Sequence, residues 1–331
     1  MSNQCPTKTE TALHSKGSWK KHVRQEYGTI LLLIIGFWFS ASLSPFFFDV
    51  NFLLRSSTMY MEIGVVALAM TFVIIAGEID LSVASLVALI ACVTGTLFHS
   101  GVPMILAMAI GLLLGAALGA FNGALVAWLK LPSLAVTLGT LALYRGFAQI
   151  LMGDQSLTAF PDWFRGIDRF LVGGIFPLSL VFFLVLALIA GLILHKTIFG
   201  RWVFSLGTND VAARYSGVPV DWAKFFIFVF SGLASAMGGI MMISRLNVAR
   251  YNIAMGLELD VITAVLLGGT DIFGGRGSIF GTVIALFLVA ILRVGMSIAN
   301  IKVENQLAVI GTILIVTIVV SNLTSKWQSE S

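Results

Sequence analysis

Only 11% of the 331 residues are Asp, Glu, Lys or Arg, against roughly a quarter in a water-soluble domain. A chain so poor in charge cannot clothe itself in a hydrated surface. Cysteine is nearly absent: Cys5 and Cys92 are the two, too few and too badly placed for a disulfide framework. The four histidines, His14, His22, His99 and His195, are scattered. No His-Glu-x-x-His spacing exists, and interfacial hydrogen bonding suits these side chains better than metal ligation. Also missing is a Gly-rich loop ending in Gly-Lys-Ser/Thr, the arrangement that cradles nucleotide phosphates. The tract 268–277 has the glycines but no Lys after them. No Ser has a paired base within sequence reach. Together these absences argue against an enzyme.

What is abundant is apolar: 58% of the chain is hydrophobic. The apolar residues fall in runs, among them 29–48, 64–76, 81–98, 104–129, 176–194, 225–243, 279–292 and 307–320. Most come near or above the roughly 20 residues that span hydrocarbon as helix. The expected class is an all-α polytopic membrane protein of about ten transmembrane helices, some short or broken. The 33 glycines suit close helix contact in lipid, where packing replaces the hydrophobic drive between helices.

A formal charge of +4 could suggest nucleic acid, but the basic residues form no single patch. They flank the apolar runs. Counting from an inside N-terminus puts Lys8, Lys16, Lys20, Lys21, Arg24, Lys130, Lys196, Arg201, Arg214, Lys224, Arg276 and Lys326 on the cytoplasmic side. Arg55, Arg165, Arg169, Arg250 and Lys302 fall outside, with Arg245 and Arg293. That asymmetry predicts cytoplasmic N- and C-termini and an even number of spans. Lys20, Lys21 and Arg24 before an apolar run also resemble a secretory signal. The run is about 20 residues and lacks a clear small-residue cleavage site, so an uncleaved first span is favoured.

The organisation that follows is a cytoplasmic tail over 1–27, a transmembrane domain over 28–323 and a short cytoplasmic tail over 324–331. Within the domain, residues 196–224 form the one sizeable polar cytoplasmic loop, between spans six and seven. A weak internal echo aligns Gly77-Glu78-Ile79-Asp80-Leu81 with Gly268-Gly269-Thr270-Asp271-Ile272, each after an apolar span that starts near a Glu (Glu62, Glu258). Paired interruptions of this kind occur in repeat-built transporters, and two similar turns by chance is the plain alternative.

The loop contains Gly207-Thr208-Asn209-Asp210-Val211-Ala212-Ala213-Arg214-Tyr215-Ser216-Gly217-Val218-Pro219. Thr208 or Asn209 can cap a helix, Asp210 suits its positive end, and Gly217 with Pro219 stops it about two turns later. A helix this short is marginal in water without a partner. Docking onto another protein is favoured, with Ala212 and Ala213 allowing close approach and Arg214 as a charged anchor.

These features, with Gly77-Glu78-Ile79-Asp80-Leu81-Ser82, Phe121-Asn122-Gly123, Leu131-Pro132-Ser133, Thr137-Leu138-Gly139-Thr140, Arg145-Gly146, Gly268-Gly269-Thr270 and Gly274-Gly275-Arg276-Gly277-Ser278, carry a resemblance. From about residue 58 to 320 the chain resembles the permease subunits of bacterial ABC importers for monosaccharides, with autoinducer-2 permeases as close kin. It departs at Glu78, where that family usually has a second Gly. The resemblance implies a homodimer or heterodimer of permeases, a second copy or a paralogue, in the bacterial inner membrane. It implies a separate ABC ATPase that binds ATP and Mg, none of it held by this chain, and a periplasmic or extracellular sugar-binding protein. The ATPase would receive Gly207, Asn209, Asp210, Ala212, Ala213, Arg214, Ser216 and Gly217.

Asp80, Arg145 and Asp260 lie in or beside apolar stretches, where a central charge costs about 2.5–3.5 kcal/mol on insertion scales; such residues face an aqueous path or pair with one another. Arg145 reads first as a pairing partner. Asn122, Thr137 and Gln149 could hydrogen-bond solute hydroxyls, or act as interhelical glue. Gly77, Asp80 and Ser82, together with Gly268, Gly269, Asp271, Gly274, Gly275, Arg276 and Gly277, are expected at the inner-face turns, as gate or ATPase-facing surface. The rival reading is a proton-coupled secondary sugar transporter using buried carboxylates such as Asp80 and Glu62. A channel would need a ring of like polar residues on one span, and none is visible.

Overall fold

In a bilayer every backbone polar group must be satisfied inside the chain, so apolar runs of this length fold as helices. A computed structural model describes residues 30–42, 45–167 and 170–329. The tail 1–27, with Cys5, Lys20, Lys21 and Arg24, lies outside the described residues, as does Arg169.

The helices, in chain order, are α1 (Ile30–Ser42), α2 (Val50–Ser57), α3 (Met61–Ile75), α4 (Val83–His99), α5 (Met104–Ala127), α6 (Ser133–Met152), α7 (Asp162–Gly166), α8 (Leu178–Lys196), α9 (Ile198–Thr208), α10 (Asp210–Tyr215), α11 (Val220–Leu246), α12 (Leu257–Leu267), α13 (Ile279–Ile298) and α14 (Val303–Ser329). Each of the eight apolar runs named above overlaps a helix from this set. Six stretches are long and apolar enough to cross a membrane, and α1 and α4 are shorter apolar helices. The protein is therefore an all-α polytopic membrane protein. A two-stranded hairpin, β1 (Leu171–Val172) and β2 (Phe176–Pro177), precedes α8.

Central and peripheral helices differ in what surrounds them. Helix α3 buries 14 of its 15 residues within the chain, whereas α5 buries 9 of 24, α6 7 of 20 and α8 5 of 19. A helix apolar all round and enclosed by others is a core element, and α3 meets α8, α11, α12 and α13 through Met70, Ile74, Phe183, Ile227, Val261 and Leu286. On α5, α6 and α8, residues such as Leu113, Ile150 and Leu188 point outward, as lipid-facing positions do.

The most extensive helix contact joins α5 to α11. Gly111, Gly115, Gly119 and Gly123 recur every fourth residue on α5 and present a flat strip. A Cβ on Gly119 would overlap the Phe228 carbonyl oxygen and stand 3.0 Å from Gly232 Cα. Small residues at this spacing let two backbones approach until dispersion alone holds them.

Candidate functional site

Three turns that the sequence singles out separately meet at one end of the bundle. Helix α3 stops at Gly77 (φ +78°), whose N–H donates to Ile74 O (2.9 Å), while the Glu78 N–H donates to Val73 O (3.0 Å). This pair of bonds is the Schellman stop, which needs a left-handed residue. Helix α12 stops the same way, with Gly269 (φ +86°) donating to Leu266 O at 3.0 Å and Thr270 to Val265 O at 3.3 Å. The structural equivalence is thus Gly77 with Gly269, one residue off the pairing with Gly268 that the sequence echo suggests. Helix α10 ends by the same bonds at Gly217, so the likeness is helix-stop chemistry and does not by itself mark a repeat.

The junction between these turns is backbone against backbone. A Cβ on Gly207, in the last turn of α9, would overlap both the Ile75 carbonyl oxygen and the Gly275 amide nitrogen. The Gly275 N–H donates to Ile75 O at 2.8 Å. A Cβ on Gly274 would lie 2.8 Å from Gly77 N, and one on Gly277 would press the Ile75 side chain at 2.7 Å. Gly268 packs against Gly281 of α13 just as tightly. Between them, Asp271 and Arg276 close a small loop: Asp271 N–H donates to Arg276 O (3.0 Å), and Asp271 Oδ1 accepts from Phe273 N–H (3.0 Å). The Arg276 side chain is exposed.

The α3–α4 turn is pinned from the inside by Asp80, which is buried. Its Oδ1 accepts from Ser82 N–H (3.0 Å) and Ser82 Oγ (2.6 Å), and its Oδ2 accepts from Ser231 Oγ (2.7 Å) on α11. Ser82 Oγ in turn accepts from Asn122 Nδ2 (2.9 Å), and Asn122 Oδ1 accepts from Tyr144 OH (3.1 Å). Thr137 donates to Ser133 O (2.8 Å) and Ile79 O (3.2 Å). Asn122 and Thr137 therefore spend their side chains joining α5 and α6 to this turn. Arg145 donates to the carbonyls of Tyr251 (2.5 Å) and Ile253 (2.9 Å), bracing the segment before α12. Gln149 is exposed on α6 and is not drawn into this network.

On the outside of the same turn, Glu78 meets Lys224 of α11 at 2.7 Å, and Lys224 lies 3.6 Å from Asp210, the first residue of α10. Helix α10 is capped by Asn209, whose Oδ1 accepts from Ala212 N–H (2.9 Å). The Arg214 guanidinium forks onto Asp221 of α11 at 2.5 and 2.9 Å, and Ser216 Oγ donates to Ala212 O (2.9 Å). Residues 208–217 are exposed apart from Ala213, so the segment projects from the bundle while being tied to it by charge.

Two ion pairs at the opposite end went unread as pairs in the sequence. Glu62 of α3 binds Arg245 of α11, and Asp260 of α12 binds Arg293 of α13. The signal was available: charges at membrane depth pair with one another, and the span count puts all four at one end.

The family described as branched-chain amino acid transport system / permease component matches residues 52–318. The autoinducer 2 import system permease protein LsrD of Escherichia coli (strain K12), and that of Shigella flexneri, are each 39% identical to the chain over 300 residues, covering 89% of this chain and 91% of theirs. No solved structure matches the chain. With the family spanning the bundle from α2 to α14, the chain belongs to the branched-chain amino acid transport system permease component family.

Proposed function

We propose that this chain is the membrane-spanning permease subunit of an ATP-driven importer of the bacterial inner membrane, and that its solute is autoinducer 2 or a monosaccharide-like polyhydroxyl compound. The solute class rests on relatives named for autoinducer 2 import that cover 89% of the chain. A separate ATPase binds ATP and Mg, a periplasmic binding protein delivers solute, and a second copy or a related permease completes the translocation path. The observation that carries the reading is the projecting segment 208–217, joined through Gly207 to the turns after α3 and α12. Movement imposed on α10 by ATPase closure reaches two of the enclosed helix ends directly.

In this reading Gly207, Asn209, Asp210, Ala212, Ala213, Arg214, Ser216 and Gly217 form the cytoplasmic coupling element. Gly77, Asp80 and Ser82, with the turn at 268–277, act as the inner gate. Asn122 and Thr137 hold the wall of the path, while Arg145 fixes its outer rim and Gln149 faces away from it. The tails 1–27 and 324–331 are assigned to the cytoplasm, as the charge asymmetry along the sequence predicts.

The test is solute accumulation in proteoliposomes holding the complete transporter. Uptake is expected to persist when the proton gradient is dissipated and to stop when ATP is depleted; the reverse pattern would establish a proton-coupled carrier. Sidedness is read by Ser216→Cys, expected to react with an impermeant maleimide from the cytoplasmic face.

A further inference from the structure

An aromatic ledge stands where α5 ends beside the start of α11. Gly123 holds the two helices so close that an added Cβ would lie 2.8 Å from the Phe225 carbonyl oxygen. The next turn of α5 therefore lays Trp128 on the foot of α11. Its ring stacks on Phe225 with centroids 4.9 Å apart and meets Trp222 edge-on at 5.5 Å. Trp222 in turn stacks on Phe226 at 6.0 Å. The rings do not cover one another: Trp128 is 47% exposed and Trp222 54%, and Leu129 and Leu131 are open beside them.

One cation rises from this ledge. Lys130 is exposed and takes φ +55°, a left-handed conformation that Gly fills freely at a helix stop and that strains other residues. Among the described residues it makes no ion pair. Its charge reaches Asp221, but that carboxylate is already gripped by Arg214 at 2.5 and 2.9 Å. The neighbouring Lys224 is likewise taken, by Glu78 at 2.7 Å.

We infer that the ledge binds an anionic phospholipid of the leaflet at the α10 end, with the lipid phosphate on the Lys130 ammonium and its acyl chains along Trp128 and Trp222. The site requires only that the chain spans a membrane, so it stands apart from the importer reading. Continuity favours lipid over a soluble partner. Phe121, two turns before Trp128 and on the same side of α5, is also exposed, so one apolar surface runs from the lipid-facing flank of the helix up to the ledge. Indole rings settle at the boundary between hydrocarbon and headgroups, where one edge is wet and the body is not. Lys130 supplies what the rings cannot, an uncompensated positive charge at headgroup level, and this selects for negative lipids.

The experiment places the full-length chain in nanodiscs of phosphatidylcholine. A rising share of that lipid is replaced by phosphatidylglycerol or phosphatidylcholine brominated on the acyl chains, and bromine in contact with indole quenches its fluorescence. The chain has seven Trp, so the signal of the ledge is the difference between wild type and Trp128→Phe/Trp222→Phe. Brominated phosphatidylglycerol is expected to quench that signal at about fivefold lower share than brominated phosphatidylcholine. Lys130→Gln makes the two lipids equal, and Lys130→Arg keeps the preference. Lys130→Gly also loses the preference while raising the melting temperature, because it relieves the left-handed backbone; this separates lost binding from lost folding. No preference in wild type, or an undiminished one in Lys130→Gln, overturns the site. Excess glycerol phosphate is expected to leave the quenching intact, and relief by it would assign the ledge to a soluble phosphate compound instead. Quenching is also expected to persist in the chain prepared with every subunit that copurifies. Its loss there would mean that protein covers the ledge, which overturns the lipid.

Discussion

Lys224 Nζ stands between two acids from different elements, 2.7 Å from Glu78 Oε1 and 3.6 Å from Asp210 Oδ2. It links the turn after α3 to the start of α10 through a site where Lys224 and Glu78 are both largely enclosed, at 17% and 11% side-chain exposure. Removing one member of a buried pair strands the other. Lys224→Met is expected to destabilise the detergent-solubilised chain by about 3 kcal/mol, and the double change with Glu78→Leu to recover most of that. Unfolding titrations of the two singles and the double decide; independent, additive losses would mean that no such link exists.

At the far end, Glu62 is buried to 2% exposure against Arg245. Arg245→Met takes the guanidinium away from that carboxylate and is expected to cost about 3–5 kcal/mol, while Glu62→Gln with Arg245→Met costs less than the single change. Thermal unfolding of the purified variants measures both.

Gly207→Ala is the smallest change that tests the junction. Its methyl group must displace the Ile75 carbonyl or the Gly275 amide, at about 1–3 kcal/mol for overpacking. Reconstituted transporter carrying it is expected to keep ATP hydrolysis and to lose much of its solute uptake. Equal loss of both, or of neither, argues against the junction as a link.

Asp80 accepts three hydrogen bonds in a buried site. Asp80→Asn retains an acceptor and is expected to cost about 1–2 kcal/mol, whereas Asp80→Leu leaves Ser82 and Ser231 without their partner and costs more. Comparing their unfolding midpoints with that of wild type is sufficient.

The helices were legible in the sequence because hydrocarbon tolerates little besides long apolar runs, and even the short α12 falls between recognisable breaks. The capping of α10 was also legible, since Asn209 and Gly217 act on residues three or four positions away. What the sequence could not supply was pairing across distance. Glu62 and Arg245 are 183 positions apart, and nothing local in either predicts the other. Arg214 shows a subtler limit. An exposed Arg on a docking helix suggests a bond to a partner, yet Asp221, seven residues further on, is brought to it by the turn at Gly217–Pro219, whose direction depends on how α10 and α11 pack. For Asn122 the residue type was informative and its use was not, because glue and solute contact ask for the same amide.

The Gly207 contact has a mechanical implication. Side chains between two moving parts act as springs, since rotamers can shift and absorb a displacement before it is passed on. Where Gly207 touches Ile75 and Gly275 the nearest atoms are backbone, so any displacement of the last turn of α9 would press directly on the Ile75 carbonyl and the Gly275 amide, with no rotamer between them to take it up.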